Sequence, residues 1–280
     1  MKREEVISGL LRLSSESPPP PGWQKPYFYL LGSQNLVLLD AGYREQNTVD
    51  KIQRVLEHTS RRLKTLVLTH GHMDHAGPIE ELSKNFSPLI MASEAERPVL
   101  ERRNLARFID QWFKDDVRIE SELGELEIIS TPGHSPGHVC AYLPAHEILF
   151  TGDLVVGEGT SFVGPPDGDM AAYMQSLERI KKLKTRLMLP GHGPAVNDPA
   201  KHLGELIKHR ELREYQVLQI LSQGPGTPHE LAQKIYTGLI HPNLYRVAEI
   251  TVLGHLSKLE QEAKVRSVLD GDSKKYFLQP

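Results

Sequence analysis

The sequence predicts a layered α/β domain over residues 1–200, joined to a small winged-helix-like domain over residues 201–280. Three observations predict it. Short apolar runs alternate with helically spaced ones through the first part, long amphipathic helices replace them near Asn197, and the tail ends on a hairpin signal. Ahead of the first strands, Pro18 to Pro21 reads as a rigid surface loop. YFYLLGSQNLVLLDAG then reads as two strands joined by a Gly-Ser-Gln-Asn turn. Val49, Ile52, Val55 and Leu56 give helical spacing between Thr48 and Thr59, and Leu63 to Thr69 is a β-branched run that ends at His70. Further strands are expected at Leu89–Met91, Leu126–Ile129, Ala145–Phe150 and Arg186–Leu189. In the second part a long amphipathic helix runs from Leu203 to Leu221 and is closed by Gly224-Pro225-Gly226. Thr227-Pro228-His229-Glu230 carries a capping Thr, a Pro at the first helical position and a Glu three residues after the cap. A third helix covers Tyr245 to Glu262, and two short strands flank Asp270-Gly271-Asp272. Three helices and a hairpin make a winged helix.

Composition narrows the function classes. The 280 residues are 39% hydrophobic, enough for a sizeable core, and a net charge of -3 argues against a basic nucleic-acid coat. Cys140 is the single cysteine, which excludes a disulfide framework and a thiolate zinc cage; in HVCAYL it reads as a buried structural thiol. Glu4 and Glu5 interrupt the basic start, so no signal peptide is expected, and no stretch reaches the ~20 apolar residues of a membrane span. A cytoplasmic protein is expected, with the mitochondrial matrix as the other compartment. Histidine is the anomaly: there are 13.

Three of them fall in His70-Gly71-His72-Met73-Asp74-His75, just after a buried-looking strand. Imidazole and carboxylate donors without sulfur suit zinc, iron or manganese. In extended chain His70 and His72 point the same way and can share one ion, while Asp74 and His75 lie beyond the turn and can reach a second. A polar loop with fortuitous histidines is the alternative. Three further turns, Pro132-Gly133-His134, Thr151-Gly152-Asp153 and Pro190-Gly191-His192, each place a His or Asp directly after a glycine at a strand end.

In this order and spacing, HGHMDH followed by His134, Asp153 and His192 resembles the metallo-β-lactamase superfamily. The resemblance implies an αββα sandwich with two divalent metal ions, zinc by preference, at the edge of its sheets. It assigns His70, His72 and His134 to one metal and Asp74, His75 and His192 to the other, with Asp153 bridging both. Asp40 in LLDAG matches a position that supports the ligands from behind, or is simply a strand-end turn residue. Two such ions, roughly 3.5–4 Å apart, acidify a bridging water, and the resulting hydroxide can attack a carbonyl or phosphorus. Asp74 is then also the catalytic group that orients the hydroxide and moves its proton. His138 lies four residues after His134 and can exchange roles with it on sequence grounds; family position favours His134. For the other seven histidines, His58, His146, His202, His209, His229, His241 and His255, a solvated or capping role is expected.

Within the superfamily the chain is similar to the glyoxalase II-like group, whose members include an endoribonuclease specific for single strands and thioesterases. A small ester or thioester or a single-stranded RNA is therefore the expected substrate. Hydroxyacylglutathione hydrolysis is a lesser reading, because the basic glutathione-binding helices are not visible. An iron-dependent redox enzyme on the same scaffold is a further class, as is a non-enzymatic winged-helix binder. Two regions bear on the choice. Arg97 to Lys114 carries five basic and two acidic residues with Phe108, Trp112 and Phe113 interleaved, which suits either single-stranded nucleic acid or an ordinary amphipathic helix or oligomer contact. Residues 205–280 hold ten Lys or Arg against nine Asp or Glu, a net of +1 and no convincing phosphate footprint. Glu158 and Thr160, just past Asp153, are candidates for the substrate cleft or are local turn residues. Oligomeric state is open.

Overall fold

A computed structural model describes residues 4–15, 18–19, 24–57, 61–270 and 273–279. Part of the proline loop (Pro20, Pro21), His58 and the hairpin turn at Gly271-Asp272 lie outside the described residues. The first sheet has seven strands, β1 (Glu4–Ile7), β2 (Leu10–Ser14), β3 (Tyr27–Leu31), β4 (Asn35–Leu39), β5 (Arg62–Val67), β6 (Leu89–Ser93) and β7 (Gln111–Phe113), hydrogen-bonded in that order. The first four pair antiparallel and the last four pair parallel, because α1 (Gln46–Glu57), then α2 (Met73–Ala76) with α3 (Ile79–Phe86), and then α4 (Arg97–Arg102) intervene as crossovers. The second sheet runs in the order β12 (Leu187–Pro190), β11 (Ile148–Gly152), β10 (Val139–Leu143), β9 (Gly124–Ser130), β8 (Val117–Ser121).

Both faces of each sheet are covered, which explains the continuous apolar runs in β3 and β4. Val37 and Leu39 point between the sheets, where they meet Ile128, Phe150 and Leu189. Leu36 and Leu38 point outward against Val49, Ile52, Ile79 and Leu82 of α1 and α3. On the far side, Cys140, Tyr142 and Leu149 pack under α5 (Met170–Ile180) and the first half of α6 (Pro199–Leu221). Helix, sheet, sheet, helix is the four-layered αββα sandwich. The second half of α6, with α7 (Pro228–Tyr236), α8 (Tyr245–Gln261) and the hairpin β13 (Val265–Asp270) to β14 (Ser273–Leu278), forms a separate apolar cluster with winged-helix connectivity.

Several expectations shift. Arg97–Lys114 is not one amphipathic helix. The helix α4 covers only Arg97–Arg102, Asn104 turns the chain at φ 57, a 3-10 turn follows at Ala106–Phe108, and β7 then joins the sheet edge. Within it Trp112 is half-buried, with Arg97 over its ring at 4.0 Å, so the guanidinium is already stacked on the protein's own indole. The strand expected from Ala145 starts at Ile148, since Pro144–His146 forms a 3-10 turn. The helix α6 begins four residues early, at Pro199, because Asp198 caps it by accepting from the Lys201 amide at 3.1 Å. The capping box at Thr227 and Glu230 is present in both directions. His255 departs from expectation too: it is buried in α8 and neither ring nitrogen has a hydrogen-bond partner.

Candidate metal centre

The seven anticipated ligands converge from loops that leave β5, β9, β11 and β12. In one group, a nitrogen from each of His70, His72 and His134 lies within 4.8 Å of the others; in the second, so do ligand atoms of Asp74, His75, Asp153 and His192. Asp153 faces both, with its Oδ2 3.7 Å from His134 Nε2 and 3.5 Å from His192 Nε2. Tight turns make this convergence possible. A methyl at Gly191 would come within 2.6 Å of Asp153 Oδ1 and of the His75 ring, and one at Gly152, where φ is 47°, would meet His138 Nε2 at 2.7 Å.

Each imidazole is oriented by a protein acceptor. His134 Nδ1 donates to the Phe162 carbonyl at 2.8 Å and His192 Nδ1 to the Gln24 carbonyl at 3.0 Å. His75 Nδ1 donates to Asp40 Oδ2 at 2.8 Å, and His72 Nε2 to Asp167 Oδ2 at 3.3 Å. Thr69 gives its hydroxyl proton to Asp40, so its oxygen accepts from His70 Nδ1 at 3.0 Å. Carbonyls and carboxylates only accept, so the tautomers of the neutral imidazoles follow: in that form, the one that can ligate a cation, every remaining ring nitrogen carries a lone pair.

Those lone pairs face one another. His72 Nδ1 stands 3.0 Å from His134 Nε2, and His75 Nε2 stands 3.2 Å from His192 Nε2. Lone pair against lone pair is repulsive unless positive charge lies between them. A tetrahedral cation ~2.0–2.1 Å from each nitrogen would set them roughly 3.3 Å apart, close to what is seen. His70 Nε2 is buried with no hydrogen-bond partner, and Asp153 Oδ1 has none beyond the His75 Nε2 lone pair that faces it at 3.3 Å, one orphan in each group. The residues therefore fit two cations. Charge agrees: burial works to raise the Asp74 carboxyl, but His75 and His192 outweigh it and bring it down to about 2. Burial lowers His134 to about 4 and keeps His70 neutral, ready to ligate. Burial also disfavours charge on His75, yet Asp153, Asp40 and Asp74 raise it overall, so the second group calls for positive charge.

Asp40 does sit at a strand end, in a left-handed conformation at φ 58, and from there it accepts three hydrogen bonds, from the Thr69 amide, the Thr69 hydroxyl and His75. His138 is separate from both groups. Its Nδ1 donates to Thr131 Oγ1 at 2.9 Å and its Nε2 accepts from the Asp153 amide at 3.1 Å, so it braces the Asp153 loop with no nitrogen to spare. Glu158 and Thr160 are exposed; the Glu158 backbone carbonyl accepts from Gln24 Nε2 at 3.0 Å, and no side-chain contact ties either to the ligands.

Two carboxylates escaped sequence reasoning. Glu96, buried, accepts from the Gly71 and Gly137 amides at 2.9 and 2.7 Å and from Ser135 Oγ at 2.9 Å, which ties the loop of His70 and His72 to that of His134. Burial raises its pKa against those three donors. Asp167, behind His72, also takes the Arg102 guanidinium and has Arg103 at 3.7 Å. Neither follows a glycine at a strand end or falls in the dense run from His70 to His75, the two signals the sequence offered.

Residues 21–192 match the metallo-beta-lactamase superfamily, and residues 227–274 match the beta-lactamase associated winged helix domain. The chain is 30% identical over 289 residues to the beta-lactamase-like protein 2 homolog of Drosophila melanogaster, covering 98% of this chain and 96% of that protein. It is 28% identical over 262 residues to the atrochrysone carboxyl ACP thioesterase of Aspergillus fumigatus, covering 89% and 80%. A metallo-beta-lactamase family protein of Thermus thermophilus superposes with a TM-score of 0.78 at 23% identity, over 98% of this chain and all of that one (100%), a likeness of fold.

Proposed function

The chain belongs to the metallo-β-lactamase superfamily, and we propose that it is a metallohydrolase that cleaves acyl thioesters with two zinc ions. The observation that carries the metal reading is the pair of facing imidazole lone pairs, at 3.0 and 3.2 Å, beside two orphaned ligand atoms. His70, His72 and His134 would hold one cation and Asp74, His75 and His192 the other, with Asp153 shared. A donor set of nitrogen and carboxylate oxygen without sulfur supports zinc. When bound, such a pair supplies Lewis acidity toward a carbonyl and an acidified water.

The chain's own residues set the rest. Asp74 has the most exposed carboxylate of the ligands, at 21%, and stays ionised, so an oxygen faces the open side and can accept a proton from an attacking water. Phe162, Gln24 and Asp40 hold three imidazoles in the tautomers that ligation needs. Thioester rather than RNA is supported by the likeness to a thioesterase across most of the chain and by the +1 balance of residues 205–280.

The test is parallel kinetics on acyl thioesters, single-stranded RNA and lactoylglutathione. Purified protein should carry close to two zinc ions and turn over the acyl thioesters. Asp74→Ala should lose at least about a hundredfold in rate. Undiminished turnover by metal-free protein would refute the metal reading. RNA or lactoylglutathione cleavage without acyl thioester cleavage would refute the substrate, and bound iron with oxygen consumption would refute hydrolysis.

A further inference from the structure

The segment 161–168 lies between the metal ligands and the C-terminal helices, and it touches both. On the ligand side, the Phe162 carbonyl fixes His134 and Asp167 fixes His72. The turn is closed by the Gly168 amide on the Gly164 carbonyl at 2.8 Å, and the next residue, Asp169, donates its amide to Gly133, the neighbour of His134, at 2.8 Å. On the other side, buried Arg210 of α6 donates to the Ser161 carbonyl while its guanidinium lies 5.1 Å from the Tyr173 ring centre. The helix α8 meets the segment with no side chain between them. A methyl at Gly254 would come within 2.7 Å of the Val163 carbonyl oxygen, and one at Gly164 within 2.4 Å of the Ile250 carbonyl oxygen.

The supports of the remaining ligands lie elsewhere. His70 leans on Thr69, His75 on Asp40, and His192 on Gln24. The dependence on segment 161–168 is therefore lopsided: it bears on two of the three histidines in one group and on no imidazole of the other.

From this we infer that the C-terminal helices α6 and α8 position one half of the metal centre, holding segment 161–168 so that Phe162 and Asp167 aim His134 and His72. The inference rests on the reading that both groups bind cations. Arg210, Gly254 and Asp167 are then positioning residues, and the winged-helix region serves the site mechanically, through a backbone contact.

The experiment is a zinc titration of the full chain against a chromophoric chelator, which resolves two dissociation constants, with His134→Ala marking the constant that belongs to the three-histidine group. Gly254→Val pushes the segment away from α8, Arg210→Met removes its tether on α6, and Asp167→Asn leaves a single oxygen for which Arg102 and His72 must compete, weakening the link at the ligand end without touching either helix. Each should raise the marked constant about tenfold to a hundredfold, the range for orienting partners of a metal-bound histidine, and leave the other within about twofold. Arg210→Lys should recover most of the loss, because an ammonium can still donate to Ser161. Equal weakening of both sites, or no change at either, overturns the inference. If Gly254→Val does not fold, Arg210→Met and Asp167→Asn decide. A wild-type chain that binds no zinc would instead overturn the metal reading itself, so the two failures are distinct.

Discussion

Replacing Asp40 by Asn changes one atom, yet it should weaken metal binding at the group containing His75. Asp40 is 3% exposed and its two carboxylate oxygens accept three hydrogen bonds, all 2.8 Å, from the Thr69 amide, the Thr69 hydroxyl and His75 Nδ1. An amide offers one oxygen and one NH2. If the NH2 faces Thr69 N–H, two donors oppose each other in a site closed to water. If it faces His75, the hydroxyl can rotate to accept, but the imidazole must move its proton to Nε2, the nitrogen required for the cation. Either arrangement forfeits an interaction worth about 1–3 kcal/mol. At about 1.36 kcal/mol per factor of ten, that is roughly a fivefold to 150-fold rise in dissociation constant. Chelator competition measures it, and melting of the metal-free protein tells the two arrangements apart, since only the first lowers stability without metal. Affinity within about twofold of wild type in both Asp40→Asn and Asp40→Ala would falsify the claim that Asp40 sets the His75 tautomer.

Two further predictions concern the C-terminal region. Burial, reinforced by Arg210, Lys258, His209 and Arg213, pushes the His255 imidazole down to about 3, so its contribution to stability is intact above the ordinary value near 6.5. It is lost as pH falls, because the unfolded chain takes up a proton that the folded chain refuses until about pH 3. Unfolding free energies of wild type and His255→Leu from urea titrations should therefore differ in slope between about pH 6 and 4 by up to about 1.4 kcal/mol per pH unit, and parallel slopes would refute it. Thr227→Ala removes one half of the capping box at the start of α7 and should cost about 1 kcal/mol, seen as faster amide exchange in α7 with zinc content unchanged.

The parts of the fold and site that were legible in sequence were those written in local chemistry. The glycine turns before His134, Asp153 and His192 announce themselves because only a small residue lets backbone come so close, as the contacts at Gly152 and Gly191 explain. The capping box at Thr227 is legible for the same reason: all its partners lie within four residues. Glu96 and Asp167 were not legible. Glu96 joins loops that lie 25 and 41 residues away, and Asp167 reaches His72 across 95, separations that leave no periodic trace. The region from Arg97 misled because its charges and aromatics suit a helix, whereas the open edge of β6 recruits Gln111–Phe113 as a strand. The hairpin β1–β2 went unread although Ser8-Gly9 marks its turn, with Gly9 at φ 82. His255 misled differently: helical spacing places it on α8, but the burial of that face comes from packing against the rest of the molecule.

Cys140 sits inside β10, fully buried, with Thr131 Oγ1 at 3.4 Å from its sulfur, and burial pushes its thiol up to about 12. Almost no thiolate forms at neutral pH, so alkylating reagents and mild oxidants have nothing to attack in the folded state. The protein thus carries a built-in clock for its own opening. A thiol reagent added in excess reports how often the second sheet separates from α5 and α6, one covalent event per chain, undistorted by any other cysteine. Run with and without zinc, that rate measures how far ligand binding at the loops restrains breathing in the layer beneath them, a quantity that activity assays never see.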